Sequence, residues 1–159
     1  MIEHQNFMRL ALEQARLAEQ INEVPVGAVL VHEGKVIGTG FNRSIIDHDP
    51  SAHAEIGAIR AAGKQLKNYR FPGTTLYVTL EPCSMCAGFL VHSRIEHLVF
   101  GAEDLKTGAC GSIMDLSQHM QLNHQFKVTG GILKEECGSL LSAFFARRRA
   151  EKKALKRID

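Results

Sequence analysis

Two short motifs in this sequence carry the residue types that hold metals and move protons. They are HAE at 53–55 and PCSMC at 82–86. Imidazole nitrogens and cysteine sulfurs are common zinc donors in proteins. Cys83 and Cys86 stand three positions apart, so both sulfurs can reach one point from the first turn of a helix. The backbone N–H groups at such a helix start favour negative charge, which stabilises the thiolates that bind metal.

The number of donors distinguishes two kinds of zinc site. His53, Cys83 and Cys86 make three, whereas a structural zinc normally has four protein ligands and a catalytic zinc keeps a position for water. Cys110 and Cys137 have no ligand-like spacing to the other cysteines and are expected to be reduced thiols. The count therefore favours a catalytic site, with Glu55 as the group that moves protons between water and substrate.

The spacing of His53 and Glu55 predicts where this site lies. Residues two apart on an ideal helix differ by about 200° of rotation, so the two side chains can converge only at a helix end. Each motif alone has a plain alternative, because C-x-x-C occurs in redox sites and four-cysteine zinc sites, and His-x-Glu arises by chance. Both together, each at a predicted helix start, indicate a metal site between two helix N-termini.

Strands and helices alternate after an opening β-hairpin. This order predicts an α/β fold, a three-layer sandwich in which a central mixed five-stranded sheet has helices on both faces. The predicted helices are 7–21, 50–62, 84–92 and the basic 134–157, and the predicted strands are 26–31, 35–41, 74–80, 97–100 and 126–129.

Composition limits the class of protein. The chain has 159 residues, 45% hydrophobic and 23% charged, as expected for one soluble globular domain over 1–159. No apolar run approaches the roughly 18 residues of a membrane span. The first residues lack the pattern of a secretory signal, so the sequence predicts a cytoplasmic protein.

Positive charge is concentrated at the C-terminus. The net charge is +2, but residues 146–159 alone carry +5 and the rest of the chain carries −3. A block of positive charge can attract a polyanion such as a nucleic acid. The alternative is a solvated helix end with no partner.

Six segments together resemble the cytidine and deoxycytidylate deaminase superfamily, whose zinc signature is H-x-E followed by P-C-x-x-C. The resemblance covers almost the whole chain and narrows to the bacterial tRNA-specific adenosine deaminases. The segments are VPVGAVLV at 24–31, FNR at 41–43, HDPSAHAE at 48–55, TLYVTLEPCSMCAG at 75–88, FGAEDLKTGACGS at 100–112 and FFARRR at 144–149.

The resemblance implies a cytidine deaminase-like fold and hydrolytic deamination of the wobble adenosine of a tRNA anticodon to inosine. It implies one Zn²⁺ per subunit on His53, Cys83 and Cys86, with Glu55 as the catalytic residue and no organic cofactor. It also implies a homodimer whose partner is the anticodon stem-loop. Two alternatives remain, a deaminase of free cytidine or guanine and a non-catalytic zinc-stabilised RNA-binding module.

Several residues are candidates for RNA contacts. Asn42 resembles the residue that contacts the target nucleoside, although it is also a plain turn residue. Asp104 and Lys106 resemble substrate-loop residues, but could be ordinary surface charges. Adjacent helical residues point about 100° apart, so one of Phe144 and Phe145 is expected in the core and the other, taken as Phe145, against a partner. Phosphate contacts are expected from Arg147, Arg148 and Arg149.

Overall fold

The protein, described here by a computed structural model, folds as a five-stranded sheet covered by helices on both faces. The structure describes residues 2–158. The strand order is β2-β1-β3-β4-β5, with β1 antiparallel to both its neighbours and β3, β4 and β5 parallel. The elements are α1 (Ile2–Gln20), β1 (Gly27–His32), β2 (Lys35–Phe41), α2 (Ala54–Leu66), β3 (Thr74–Leu80), α3 (Ser84–Ser93), β4 (His97–Ala102), β5 (Lys127–Thr129) and α4 (Lys134–Ile158).

Alternating side chains of the central strands build two cores. On β1, Val29 and Val31 pack with α1, whereas Ala28 and Leu30 pack in the core that includes α2 and α3. The strand is buried on both faces, as its continuous apolar run predicts. The same alternation on β3 and β4 places α1 and α4 on one face and α2 and α3 on the other, so the predicted three-layer sandwich is confirmed.

Glycines let α2 approach the sheet closely. A Cβ built on Gly40 would lie 2.4 Å from the backbone nitrogen of Ala58, and one on Gly38 would lie 2.2 Å from the Ala58 carbonyl oxygen. Only a residue without a side chain fits at these two positions of β2. This close packing fixes α2, and therefore its N-terminus, against the sheet.

Two predicted helix starts are wrong. The first helix begins at Ile2 and not at residue 7, and the second begins at Ala54 and not at Pro50. The carboxylate of Asp49 instead accepts hydrogen bonds from the backbone N–H and the hydroxyl of Ser51, which form a local turn. Ser and Asp residues that resemble helix caps can serve such turns equally well.

Within residues 2–158, no helix has the length and hydrophobicity needed to cross a bilayer.

Candidate metal centre and substrate cleft

The two helix N-termini on one face of the sheet meet at the predicted metal site. His53 is the N-cap residue of α2, and Cys83 is the N-cap residue of α3, with Cys86 in the first turn of α3. Neither N-cap residue uses its side chain to cap its helix, so both side chains are available to a ligand. The donor atoms of all three residues lie within 4.8 Å of one another.

The spacing of these donors fits a tetrahedral zinc ion. His53 Nδ1 lies 3.7 Å from Cys83 Sγ and 3.5 Å from Cys86 Sγ. Ideal Zn–N and Zn–S bonds at a tetrahedral angle place a nitrogen and a sulfur about 3.6 Å apart. Cys86 is fully buried, whereas His53 and Cys83 are half-buried, so the cluster opens toward the surface on one side.

The electrostatics of the three side chains favour a bound cation. A hydrogen bond from Cys86 outweighs burial and lowers the pKa of Cys83 to about 4, with further help from His53. The same hydrogen bond and burial raise the pKa of Cys86, while the hydrogen bond to Cys83 raises that of His53. Thiols lose their protons when a divalent cation coordinates them.

Glu55 lies beside this cluster without being part of it. It occupies the first turn of α2, is 4% exposed, and contacts the Cys86 side chain. Burial raises the pKa of Glu55 to about 7, against the opposing effects of a backbone hydrogen bond and of His53. A carboxyl group held beside a metal site, yet outside its donor set, is placed for proton transfer.

Asn42 connects the end of β2 to the metal site. Its side-chain oxygen accepts a hydrogen bond from the backbone N–H of Ala54 at 3.0 Å. Asn42 therefore satisfies a free donor at the start of α2, a role usually filled by the N-cap residue itself. Its amide NH₂ group is not used in this contact and can donate a further hydrogen bond.

A cleft of about 580 Å³ brings together several residues predicted to contact substrate. It lies between the loop after β4 and the middle of α4. Asp104 and Lys106 line one wall and Phe145 and Arg149 line the other. Of the two adjacent phenylalanines, Phe144 is 1% exposed and Phe145 is 44% exposed, as predicted.

Asp104 shapes the loop in which it lies. Its carboxylate accepts hydrogen bonds from the N–H groups of Lys106 and Thr107 and from the Thr107 hydroxyl. Although partial burial acts in the opposite direction, these hydrogen bonds lower the pKa of Asp104. The sequence alone indicated a substrate residue or a surface charge, and the structure adds a turn-forming role.

The three consecutive arginines of α4 have different surroundings. Arg147 contacts the Asn22 side chain and pairs with Glu151 at 2.9 Å, and Arg148 donates to the Asn22 carbonyl oxygen at 2.7 Å. Both guanidinium groups lie about 5 Å from the ring of Phe144. Arg149 lines the cleft instead, together with Phe145.

Two buried carboxylates at this end of the sheet were missed by sequence reasoning. Glu23 and Glu81 are each 2% exposed. Glu23 accepts hydrogen bonds from the N–H groups of Ile45 and Ile46, and Glu81 accepts several from the loop after β4. Glutamate is mostly a surface residue, so the local sequence around Glu23 and Glu81 does not indicate burial, and only their tertiary partners reveal it.

Comparison with known proteins agrees with the geometry. Residues 1–102 match the family model described as the cytidine and deoxycytidylate deaminase zinc-binding region. The chain belongs to this family. A tRNA-specific adenosine deaminase of Haemophilus influenzae is 54% identical over 97% of this chain and 90% of that protein. One of Bacillus subtilis is 47% identical over 99% and 98%, respectively.

Solved structures of family members share the fold. One, from work on A-to-I editing by tRNA:A34 deaminases at the wobble position of transfer RNA, is 44% identical with a TM-score of 0.83 and covers 86% of this chain and 99% of that chain. A guanine deaminase of Nitrosomonas europaea is 25% identical with a TM-score of 0.75, covering 89% and 84%. The predictions of a cytidine deaminase-like fold, a zinc-dependent deaminase and similarity to tRNA deaminases are confirmed.

Proposed function

We propose that this protein hydrolyses adenosine to inosine at the wobble position of a tRNA anticodon. The observation that carries the proposal is the convergence of three zinc donors on two helix N-termini beside the buried Glu55. High identity to tRNA-specific adenosine deaminases over nearly the whole chain supports the substrate class. The lower identity to a guanine deaminase makes a free base the weaker candidate.

His53, Cys83 and Cys86 would hold the zinc ion. When bound, zinc acts as a Lewis acid that makes water nucleophilic near neutral pH. Glu55 then takes a proton from the attacking water as its oxygen bonds to C6 of the base, and gives it to the ring nitrogen. The same carboxylate then carries the proton of the new C6 hydroxyl to the amine. The C–N bond breaks, ammonia leaves and the oxygen stays on C6 as the carbonyl of inosine.

The surrounding residues are proposed to hold the anticodon loop. A single-stranded loop can splay its bases into pockets, where edges are read by hydrogen bonds. The free NH₂ group of Asn42 is suited to a ribose or base acceptor beside the metal. Asp104, Lys106, Phe145 and Arg149 would contact flanking nucleotides, with Arg149 on a phosphate. Arg147 and Arg148 would contribute mainly by holding α4 on the body of the protein.

We also propose that the protein acts as a homodimer, as its family resemblance implies. An apolar groove lies on the outer side of α2 and α3, lined by side chains that include Phe71 and Phe89. Tyr69, which also lines the groove, is 76% exposed, and Leu66 at the end of α2 is 48% exposed. Sedimentation equilibrium of the zinc-loaded protein gives twice the chain mass if this proposal holds, and the mass of one chain contradicts it.

The decisive experiment is incubation of the zinc-loaded protein with a tRNA that carries adenosine at the wobble position. Sequencing of the RNA reveals inosine at that position if the proposal is correct. Free adenosine, cytidine and guanine are incubated in parallel. Product from a free nucleoside or base alone contradicts the RNA substrate, and binding of RNA with no product from any substrate indicates a non-catalytic module.

A further inference from the structure

The loop after β4 is tied to the segment that carries Cys83. The backbone N–H of Ala109 donates to the carbonyl oxygen of Pro82 at 2.8 Å, and Cys83 pairs with Gly108 through an isolated β-bridge. The wall of the cleft that contains Asp104 is thus attached to the segment that holds a metal donor. A shift of this loop would change the distance between the cleft and the metal.

The carboxylate of Glu81 joins the two ends of the same loop. One oxygen accepts the N–H of Asp104 at 3.1 Å, and the other accepts the N–H groups of Cys110 and Ser112, each at 3.1 Å. The hydroxyl of Ser112 supplies a fourth donor. The four lone-pair positions of a carboxylate match these four donors. The buried side chain of Glu81 therefore holds both ends of the loop together. In the chain, Glu81 lies directly before Pro82.

The fit around this carboxylate leaves no spare room. A Cβ built on Gly108 would lie 2.5 Å from Oε2 of Glu81 and 2.5 Å from the carbonyl oxygen of Asp104. Glycine is thus required where the loop crosses the carboxylate. The exposed residues Leu105 to Thr107 line the cleft together with Glu103 and Asp104.

We propose that Glu81 is a positioning residue that pre-organises the loop 103–112 for the RNA substrate and sets its distance from the metal site. The inference rests on the proposed function and names a residue that touches neither metal nor substrate. A loop already ordered in the free enzyme spares the RNA the entropy cost of ordering it. Loss of the hydrogen bonds between the loop and the Glu81 carboxylate should weaken substrate binding more than it slows the chemical step.

The test is Glu81→Gln in the full-length zinc-loaded enzyme, with an anticodon stem-loop RNA as substrate. The amide NH₂ group faces donors in place of an acceptor oxygen. We expect faster hydrogen–deuterium exchange in 103–112, a KM raised about tenfold, and kcat and zinc content close to wild type. Glu96→Gln, the same change at an exposed position beyond the opposite end of the sheet, serves as the matched control and should alter none of these.

Several outcomes would overturn the inference. If hydrogen–deuterium exchange in 103–112 is unchanged, the Glu81 carboxylate does not order the loop. If exchange is faster but KM is unchanged, Glu81 has a structural role only. If kcat falls, zinc is lost and KM is unchanged, the substitution acts through metal binding and not through the loop. Wild type that forms no inosine contradicts the proposed function, whereas active wild type with an unaltered Glu81 variant contradicts this inference alone.

Two further variants keep the inference testable if Glu81→Gln does not fold. Ser112→Ala removes one of the four donors and should shift exchange and KM in the same direction by a smaller factor. Gly108→Ala pushes the carboxylate from the other side and should reproduce the KM effect with Glu81 intact. Normal KM values in both variants contradict the proposal.

Discussion

The two ends of the sheet are held in different ways. At the end where β3 leads into Cys83, long connections run over the edge of the sheet, and the buried carboxylates of Glu23 and Glu81 accept their backbone N–H groups. At the opposite end the connections are short. Positive φ does not distinguish the two ends, because it occurs at Lys67 and Arg94 here and at Asn22 and His48 at the first end.

The difference follows from the need to satisfy backbone hydrogen bonds. A short turn pairs its own N–H and C=O groups locally, whereas a long loop leaves donors without partners. A buried carboxylate offers several acceptor positions from one side chain and can hold a loop in a fixed shape. Such loops can then present irregularly placed side chains, which a metal site and a cleft for the proposed RNA substrate require.

Among substitutions at either end of the sheet, Glu55→Gln at the metal-site end should have the largest effect on activity. Without an acid–base group, turnover should fall by about 10²–10⁴. The zinc content should stay at that of wild type, because Glu55 is not among the donors. Metal analysis beside the inosine assay checks both points, and loss of zinc from this variant contradicts the assignment of Glu55 as a proton carrier.

Glu23→Gln tests whether the second buried carboxylate holds its loop as Glu81 does. The remaining amide oxygen is a weaker acceptor for the N–H groups of Ile45 and Ile46, and the new NH₂ group faces the Ile45 N–H where Oε2 accepted it. We expect a cost of about 1–3 kcal/mol of unfolding free energy. Urea denaturation measures that cost. Glu33→Gln, in the exposed turn between β1 and β2, is the matched control and should change stability by less than about 0.5 kcal/mol. Equal losses in the two variants would remove the distinction between the two ends.

The parts of the structure that sequence predicts are those with local causes. Periodicity located all five strands and four helices, and the spacing of His53, Cys83 and Cys86 located the metal donors. What it missed depends on distant partners. The start of α2 was placed too early because its capping group comes from Asn42, twelve positions before Ala54. Glu81 carried no signal beyond its place in the family-like segment TLEPC.

The run of three arginines shows the same limit on a smaller scale. Sequence makes Arg147, Arg148 and Arg149 equivalent positive charges. Their separate roles depend on Asn22, which lies far away in the chain and contacts only the first two. No pattern within the run could have distinguished them.

Single substitutions in this run should separate phosphate binding from helix attachment. Arg149→Ala should weaken binding of the stem-loop RNA and flatten the slope of log K against log salt by about one unit. Arg147→Ala removes a partner of Asn22 and should lower stability more than it changes the slope. Fluorescence anisotropy at several salt concentrations measures the slope. Equal flattening in the two variants would show that Arg147 also contacts phosphate.

The smallest expected effect concerns pH and the end of the sheet away from the metal. His97 on β4 faces His4 of α1 and Lys127 of β5, and its Nε2 lies 2.8 Å from the hydroxyl of Thr129. Burial first, and then the charge of Lys127 and the proximity of His4, lower the pKa of His97, against the opposing effect of Glu96.

A lowered histidine pKa makes the unfolded chain bind more protons than the folded one just below the ordinary value. The contribution of His97 to stability is therefore present above about pH 6.5 and lost as the pH falls below it. His97→Gln keeps a donor near Thr129 but does not titrate, so its stability should fall less than that of wild type between pH 7.5 and 5.5. Because both proteins have the same metal site, proton effects there cancel in the comparison. If both lose the same unfolding free energy as the pH falls, protonation of His97 does not affect folding.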